Sequence, residues 1–110
     1  MAGTYALTKN TDGRFLFNLK SDNGEKILTS QSYEAKKGAQ EGNESVRRSA
    51  ALDAQFDRMS SNDEKPYFVL KATNGEVIGT SQQYSSRSAM ENGIASVMEN
   101  APAATVDDNT

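Results

Sequence analysis

Two stretches decide how this chain is read. The first is Phe17-Asn18-Leu19-Lys20-Ser21-Asp22-Asn23-Gly24-Glu25-Lys26-Ile27-Leu28-Thr29-Ser30-Gln31-Ser32-Tyr33; the second, 51 residues further on, is Phe68-Val69-Leu70-Lys71-Ala72-Thr73-Asn74-Gly75-Glu76-Val77-Ile78-Gly79-Thr80-Ser81-Gln82-Gln83-Tyr84. Extended without a gap, Phe15–Ala51 matches Pro66–Pro102 with 15 identities in 37 pairs. Unrelated sequences of average composition would give roughly two. The chain is an internal duplication.

Each copy reads as a hairpin followed by a helix. Phe15, Phe17 and Leu19 alternate with Leu16, Asn18 and Lys20, the period of a half-buried strand, and Pro66–Lys71 repeats it. Asn23-Gly24 and Asn74-Gly75 mark tight turns. A two-residue loop would pair Leu19 with Leu28 and put Ile27 on the opposite face. A three-residue loop, Asp22-Asn23-Gly24, ending in a glycine bulge with Gly24 and Gly75 at positive φ, would instead pair Leu19 with Ile27, and the repeat-matched apolar positions favour it. Lys26–Ser30 and Val77–Ser81 are the returning strands. Beyond Tyr33 the period lengthens: Ala35, Ala39, Gly42, Val46 and Ala50 share one helical face, as do Met90, Gly93, Ile94, Val97 and Ala101. Helices are expected near 34–50 and 85–101, the second closed by Pro102. Glycine at the same point of both helices indicates close approach to the sheet, since glycine inside a helix costs about 1 kcal/mol relative to alanine. Thr4–Thr8, Gln55–Met59 and Thr105-Val106 are further short strands, with Asn10–Gly13 a turn and Ser60–Lys65 a loop.

A length of 110 residues suits one domain. Copies of about 50 residues (boundaries near 1–57 and 58–110) bury too little to stand alone and must share a core. The expected core is Phe17, Leu19, Ile27, Phe68, Leu70, Ile78, Val46 and Val97. The absence of Cys, His and Trp removes thiol nucleophiles, His-based triads, thiolate or imidazole metal sites and disulfides. Nothing near the amino terminus has the form of a secretory signal, and no run approaches the ~20 apolar residues of a membrane span, so the reading is cytoplasmic. Net charge is −3. It divides as +2 over residues 1–51 and −5 over 52–110, and neither half has the basic excess that drives nucleic-acid binding.

The pattern F-x-L-K-x-x-N-G-E-x-I-x-T-S-Q-x-Y, followed by a helix with G-x-x-S-V at Gly42–Val46 and Gly93–Val97, resembles the YegP-like family of small bacterial proteins of unknown function. The likeness spans nearly the whole chain. It implies an α+β fold of two tandem repeats, each of three strands, a helix and a strand (β3-α-β). These would form one antiparallel sheet with both helices on one face and terminal strands exchanged between repeats. It implies no activity, cofactor or catalytic residue.

Candidate sites follow from these elements. Ser30 or Ser81 with Lys20 or Lys71 would be a hydroxyl–lysine catalytic pair, yet a residue type needed twice is more simply structural. The carboxylate pairs Asp107-Asp108 and Asp63-Glu64 fall at a terminus and in a loop, where charge is solvated. Lys36, Lys37, Arg47 and Arg48 form the local basic clusters, the alternative being weak nucleic-acid binding. The favoured reading is a monomeric, non-catalytic binding module without a cofactor. It would take an unidentified protein or small ligand on the sheet face away from the helices, through Leu16, Asn18, Lys20, Leu28, Tyr67, Val69, Lys71 and Val77.

Overall fold

The computed structural model describes residues 3–110. The elements in chain order are β1 (Thr4–Lys9), β2 (Phe15–Lys20), β3 (Lys26–Ser30), α1 (Lys36–Ser49), β4 (Phe56–Ser60), β5 (Pro66–Lys71), β6 (Val77–Thr80), α2 (Arg87–Asn100) and β7 (Thr105–Asp108), with single 3-10 turns at Asp53–Gln55 and Ala101–Ala103. The strands form one seven-stranded sheet ordered β4-β5-β6-β3-β2-β1-β7. The repeats meet where β3 pairs antiparallel with β6, Thr29 opposite Thr80 and Ser30 opposite Gly79. Thr29 and Thr80 are repeat equivalents, so a pseudo-twofold axis passes between them.

Both hairpin loops close as the sequence indicates. Gly24 and Gly75 have φ of 87° and 88°, conformations that a Cβ disfavours. The Glu25 and Glu76 amides donate to Asn23 Oδ1 and Asn74 Oδ1, each at 3.0 Å. The register beyond the loop differs from expectation. Leu19 faces Leu28, and the irregularity between Leu19 and Lys20 makes Ile27 the extra residue of a bulge. A bulge turns successive side chains to one side, so Ile27 and Leu28 both enter the core, 4% and 1% exposed. Leu28 is therefore removed from the open face.

Both helices cover one face of the sheet. Ala39 and Val46 of α1 and Met90, Ile94 and Val97 of α2 close over Tyr5, Leu7, Phe17, Leu19, Phe56, Phe68 and Leu70 in one core cluster, which also holds Ile27 and Ile78. The helix glycines have a more specific reason than general closeness. A Cβ on Gly42 would lie 2.6 Å from the Tyr33 hydroxyl and 2.9 Å from Phe17 Cε2, and one on Gly93 would lie 2.2 Å from the Tyr84 hydroxyl. Tyr33 and Tyr84 reach the helices because each stacks on the phenylalanine of its own repeat, at 6.4 Å and 6.2 Å between centroids.

Two features depart from a fully antiparallel, symmetric plan. Strand β7 of the second repeat does cross to the first, but it pairs with β1 in parallel, Thr4 opposite Thr105 and Leu7 opposite Asp108. The sheet is mixed. A two-residue or three-residue hairpin forces antiparallel neighbours, whereas a strand reached through a helix is free of that constraint. The exchange also runs one way. Residues 54–57, the repeat equivalents of β7, are used up in the 3-10 turn and the start of β4, which leaves β4 as an open edge.

At the axis the repeats cannot be identical. Leu28 and Gly79 are equivalents, and a Cβ on Gly79 would lie 2.7 Å from Leu28 Cγ and Cδ2. Gly79→Ala is expected to cost about 1–3 kcal/mol in the natural background and to become neutral or mildly stabilising in a Leu28→Ala background. Urea denaturation of the four proteins of this double-mutant cycle measures it; equal costs in both backgrounds would show that Leu28 does not impose the glycine.

Candidate functional site

Among the described residues no element covers the face away from the helices. Register aligns one row across the whole sheet on that side: Asp57, Val69, Thr80, Thr29, Asn18, Ala6 and Asp107. Residues paired across strands share a face, so alternation places Leu16, Lys20, Tyr67 and Lys71 there too. Asn18 and Val69 lie on this face but are only 9% and 7% exposed, hemmed in by neighbouring side chains. Thr29 donates its hydroxyl to Asn18 Oδ1 at 2.8 Å, and Lys71 pairs with Asp57 at 2.7 Å. Val77 stands opposite Lys71. The structure thus brings together seven of the eight residues singled out from sequence.

Sequence reasoning missed Met59. It stands opposite Tyr67 and is 43% exposed. Beside Tyr67 and Thr80 lies a shallow depression of about 550 Å³, walled by Ser60, Ser61, Asn62, Asp63, Ser81 and Gln83. The apolar character is concentrated in this half, where the first repeat offers Leu16. Met59, Tyr67, Val69 and Val77 occupy the positions that Thr8, Leu16, Asn18 and Lys26 hold in the first repeat.

The hydroxyl–lysine pair is not assembled. Ser30 Oγ accepts the Phe17 amide at 2.8 Å and donates to the Gln31 carbonyl at 2.8 Å. Ser81 does the same with Phe68 and Gln82, at 2.9 Å and 2.7 Å. Each hydroxyl stands in for a strand carbonyl where the returning strand ends. Lys20 and Lys71 lie on the opposite face, because Asn18, two residues before Lys20, pairs with Thr29 rather than with Ser30.

The basic clusters of α1 are partly engaged. Lys36 forms an ion pair with Asp108, whose carboxyl is held down to about 2 chiefly by that contact. Arg47 binds Glu44 and the Pro102 carbonyl, each at 3.1 Å, and lies over the Tyr5 ring. Tyr5 itself donates to the Ala101 carbonyl at 2.8 Å, and burial raises its phenol well above the usual value. Arg58 on β4 stands where the first repeat has buried Leu7. It binds Glu91 of α2 at 2.7 Å and Asp53 at 2.9 Å, and its hydrogen bond lowers the Glu91 carboxyl. Among the described residues no three carboxylates cluster closely enough to hold a metal ion, and no helix is long and apolar enough to cross a membrane.

The comparison with known proteins matches this architecture. The family model described as a domain of unknown function, DUF1508, matches residues 10–57 and again 61–108. The chain belongs to the DUF1508 family. Among curated relatives, the UPF0339 protein of Shewanella oneidensis is 48% identical over 110 residues, covering the whole of both chains. The UPF0339 protein YegP of Escherichia coli K12 is 44% identical, again over the whole of both. The solution NMR structure of the Shewanella oneidensis protein superimposes with a TM-score of 0.92, covering 98% of this chain and 92% of that one. That of yegP from E. coli gives 0.95, covering 100% and 95%. The family has no assigned function, and the resemblance seen in the repeated motif is a true family relationship.

Two outcomes follow from these side chains. Ser30→Ala or Ser81→Ala leaves a strand amide without its acceptor and should lower stability by about 1–3 kcal/mol in urea titrations; variants as stable as the natural protein would contradict the bridging role. Asn43 stands in α1 at the position of Ile94, is 1% exposed, and has neither side-chain polar atom hydrogen-bonded. Asn43→Leu, similar in shape, should raise stability by about 1–3 kcal/mol, and a loss would mean that the amide has a partner in solution.

Proposed function

We propose that this protein is a monomeric, cytoplasmic, non-catalytic binding module that engages a protein segment on the open sheet face of its second repeat. The observation that carries the reading is the asymmetry of that face. In a duplicated chain, residues required by the fold recur in both copies. The accessible Met59, Tyr67 and Val77 do not recur, their counterparts being Thr8, Leu16 and Lys26, while Val69, 7% exposed, contributes little surface. An apolar patch that the fold does not demand is a candidate interaction surface. Lys71 and Asp57 border it on one side; Leu16, Asn18 and Lys20 extend the face across the axis. The adjoining depression is shallow and open, which favours an extended polypeptide over a small molecule, whose sites are concave and enclosing. No cofactor enters this reading.

The test is affinity capture from the native lysate with the natural protein, with Met59→Lys/Tyr67→Lys, and with Lys37→Glu on α1, away from the open face, as control. Circular dichroism would confirm folding and sedimentation the monomeric state. A partner held by the natural protein and the control, but lost by the double variant, is expected. A partner held equally by all three, or a stable dimer in the absence of a partner, would defeat the proposal.

A further inference from the structure

We infer that the outward edge of β4 is a strand-addition site for an acidic extended peptide, which docks in parallel and places a carboxylate on Arg87. The template is inside the molecule. On the far side of the sheet, β7 lies parallel along β1: the Thr105 amide donates to the Gly3 carbonyl at 3.2 Å and the Asn109 amide to the Leu7 carbonyl at 2.8 Å. Asp108, opposite Leu7, then reaches Lys36 at the start of α1. The pseudo-twofold carries β1 onto β4, Leu7 onto Arg58 and Lys36 onto Arg87. Among the described residues no strand fills the equivalent place beside β4, because residues 54–57 belong to the preceding turn and to β4 itself.

The backbone of that edge is available. Ser81 Oγ and the Ser81 amide take both the amide and the carbonyl of Phe68 on the β6 side. Arg58 pairs with Phe68, so its own amide and carbonyl point away from β5 to the open edge. Upstream, the Phe56 amide is already bound to the Asp53 carbonyl, and the Phe56 carbonyl holds only a long 3.4 Å contact from Arg58 Nη1. An incoming strand would pair from Arg58 onward and displace that contact.

The charge is available too. Arg87 is exposed and makes no ion pair among the described residues. Its neighbour one turn along, Glu91, is committed to Arg58, as is Asp53. The inward-pointing Arg58 discourages pairing by an arbitrary hydrophobic edge, while a strand bearing a carboxylate at the position of Asp108 meets a waiting cation. Backbone pairing would supply affinity and the carboxylate selectivity, as in other strand-addition modes. This site is distinct from the open face and does not depend on it.

The probe is a synthetic peptide with the sequence Pro102–Thr110, titrated into isotope-labelled full-length protein and followed by amide chemical shifts. Saturable shifts at Asp57, Arg58, Met59 and Arg87 are expected. Arg87→Glu, or a peptide with both aspartates changed to asparagine, should weaken binding by about fivefold, and Arg87→Lys should retain it. Absence of saturable shifts, equal affinity for Arg87→Glu, or shifts confined to β1 with displacement of the protein's own β7 would overturn the inference. Concentration-dependent shifts at β4 without peptide would name a second copy as the occupant and overturn it equally.

Discussion

Everything in this molecule hangs on the pairing of β3 with β6. Each hairpin alone has exposed edges, and the two repeats contribute to one core cluster. Joining the two returning strands removes both inner edges and lays one platform under two helices. The helices use it jointly: α1 packs on β2 of its own repeat and on β5 and β6 of the other, while α2 packs on β5 and on β3. Close to the axis only one large side chain fits, and Leu28 takes the room that Gly79 leaves. The duplication had to become unequal at its centre to fill its core at native density.

Much of this was legible in the residues. The repeat exposed the symmetry, the period of two the strands, and Asn-Gly the loops, because each depends on local chemistry. The side on which Leu28 lies was not legible, since one bulge residue reverses the alternation and nothing at Ile27 announces it. The direction of β7 was equally hidden: Thr105-Val106 reads as a strand, but its partner and orientation are set by where α2 delivers the chain. The open face was anticipated at Tyr67, Val69, Lys71 and Val77. Met59 was missed because it falls at the end of a strand with little alternation of its own, and comparison with Thr8 would have flagged it.

A duplicated sequence carries its own control. The recurring polar residues have structural employment: Ser30 and Ser81 complete the strand ladder, Asn23 and Asn74 tie down the loops, and Tyr33 and Tyr84 lie along the helix glycines. What fails to recur is then informative. Asn43 against Ile94, Arg58 against Leu7, and the Met59–Val77 set against its counterparts in the first repeat are places where the shared fold makes no demand. The two surfaces argued above lie at such places, one on the face and one at the edge.

The parallel seating of β7 on β1 also has a mechanical meaning. Gly3 and Asp108 lie at opposite ends of two neighbouring strands that run the same way. Tension applied between these two points would load the contacts of Gly3 with Thr105, of Leu7 with Asn109 and of Lys36 with Asp108 together, in shear. An antiparallel strand in the same place would peel, surrendering its bonds one after another from the loaded end. The strand direction that the sequence does not announce leaves a four-residue edge strand arranged to resist being pulled away.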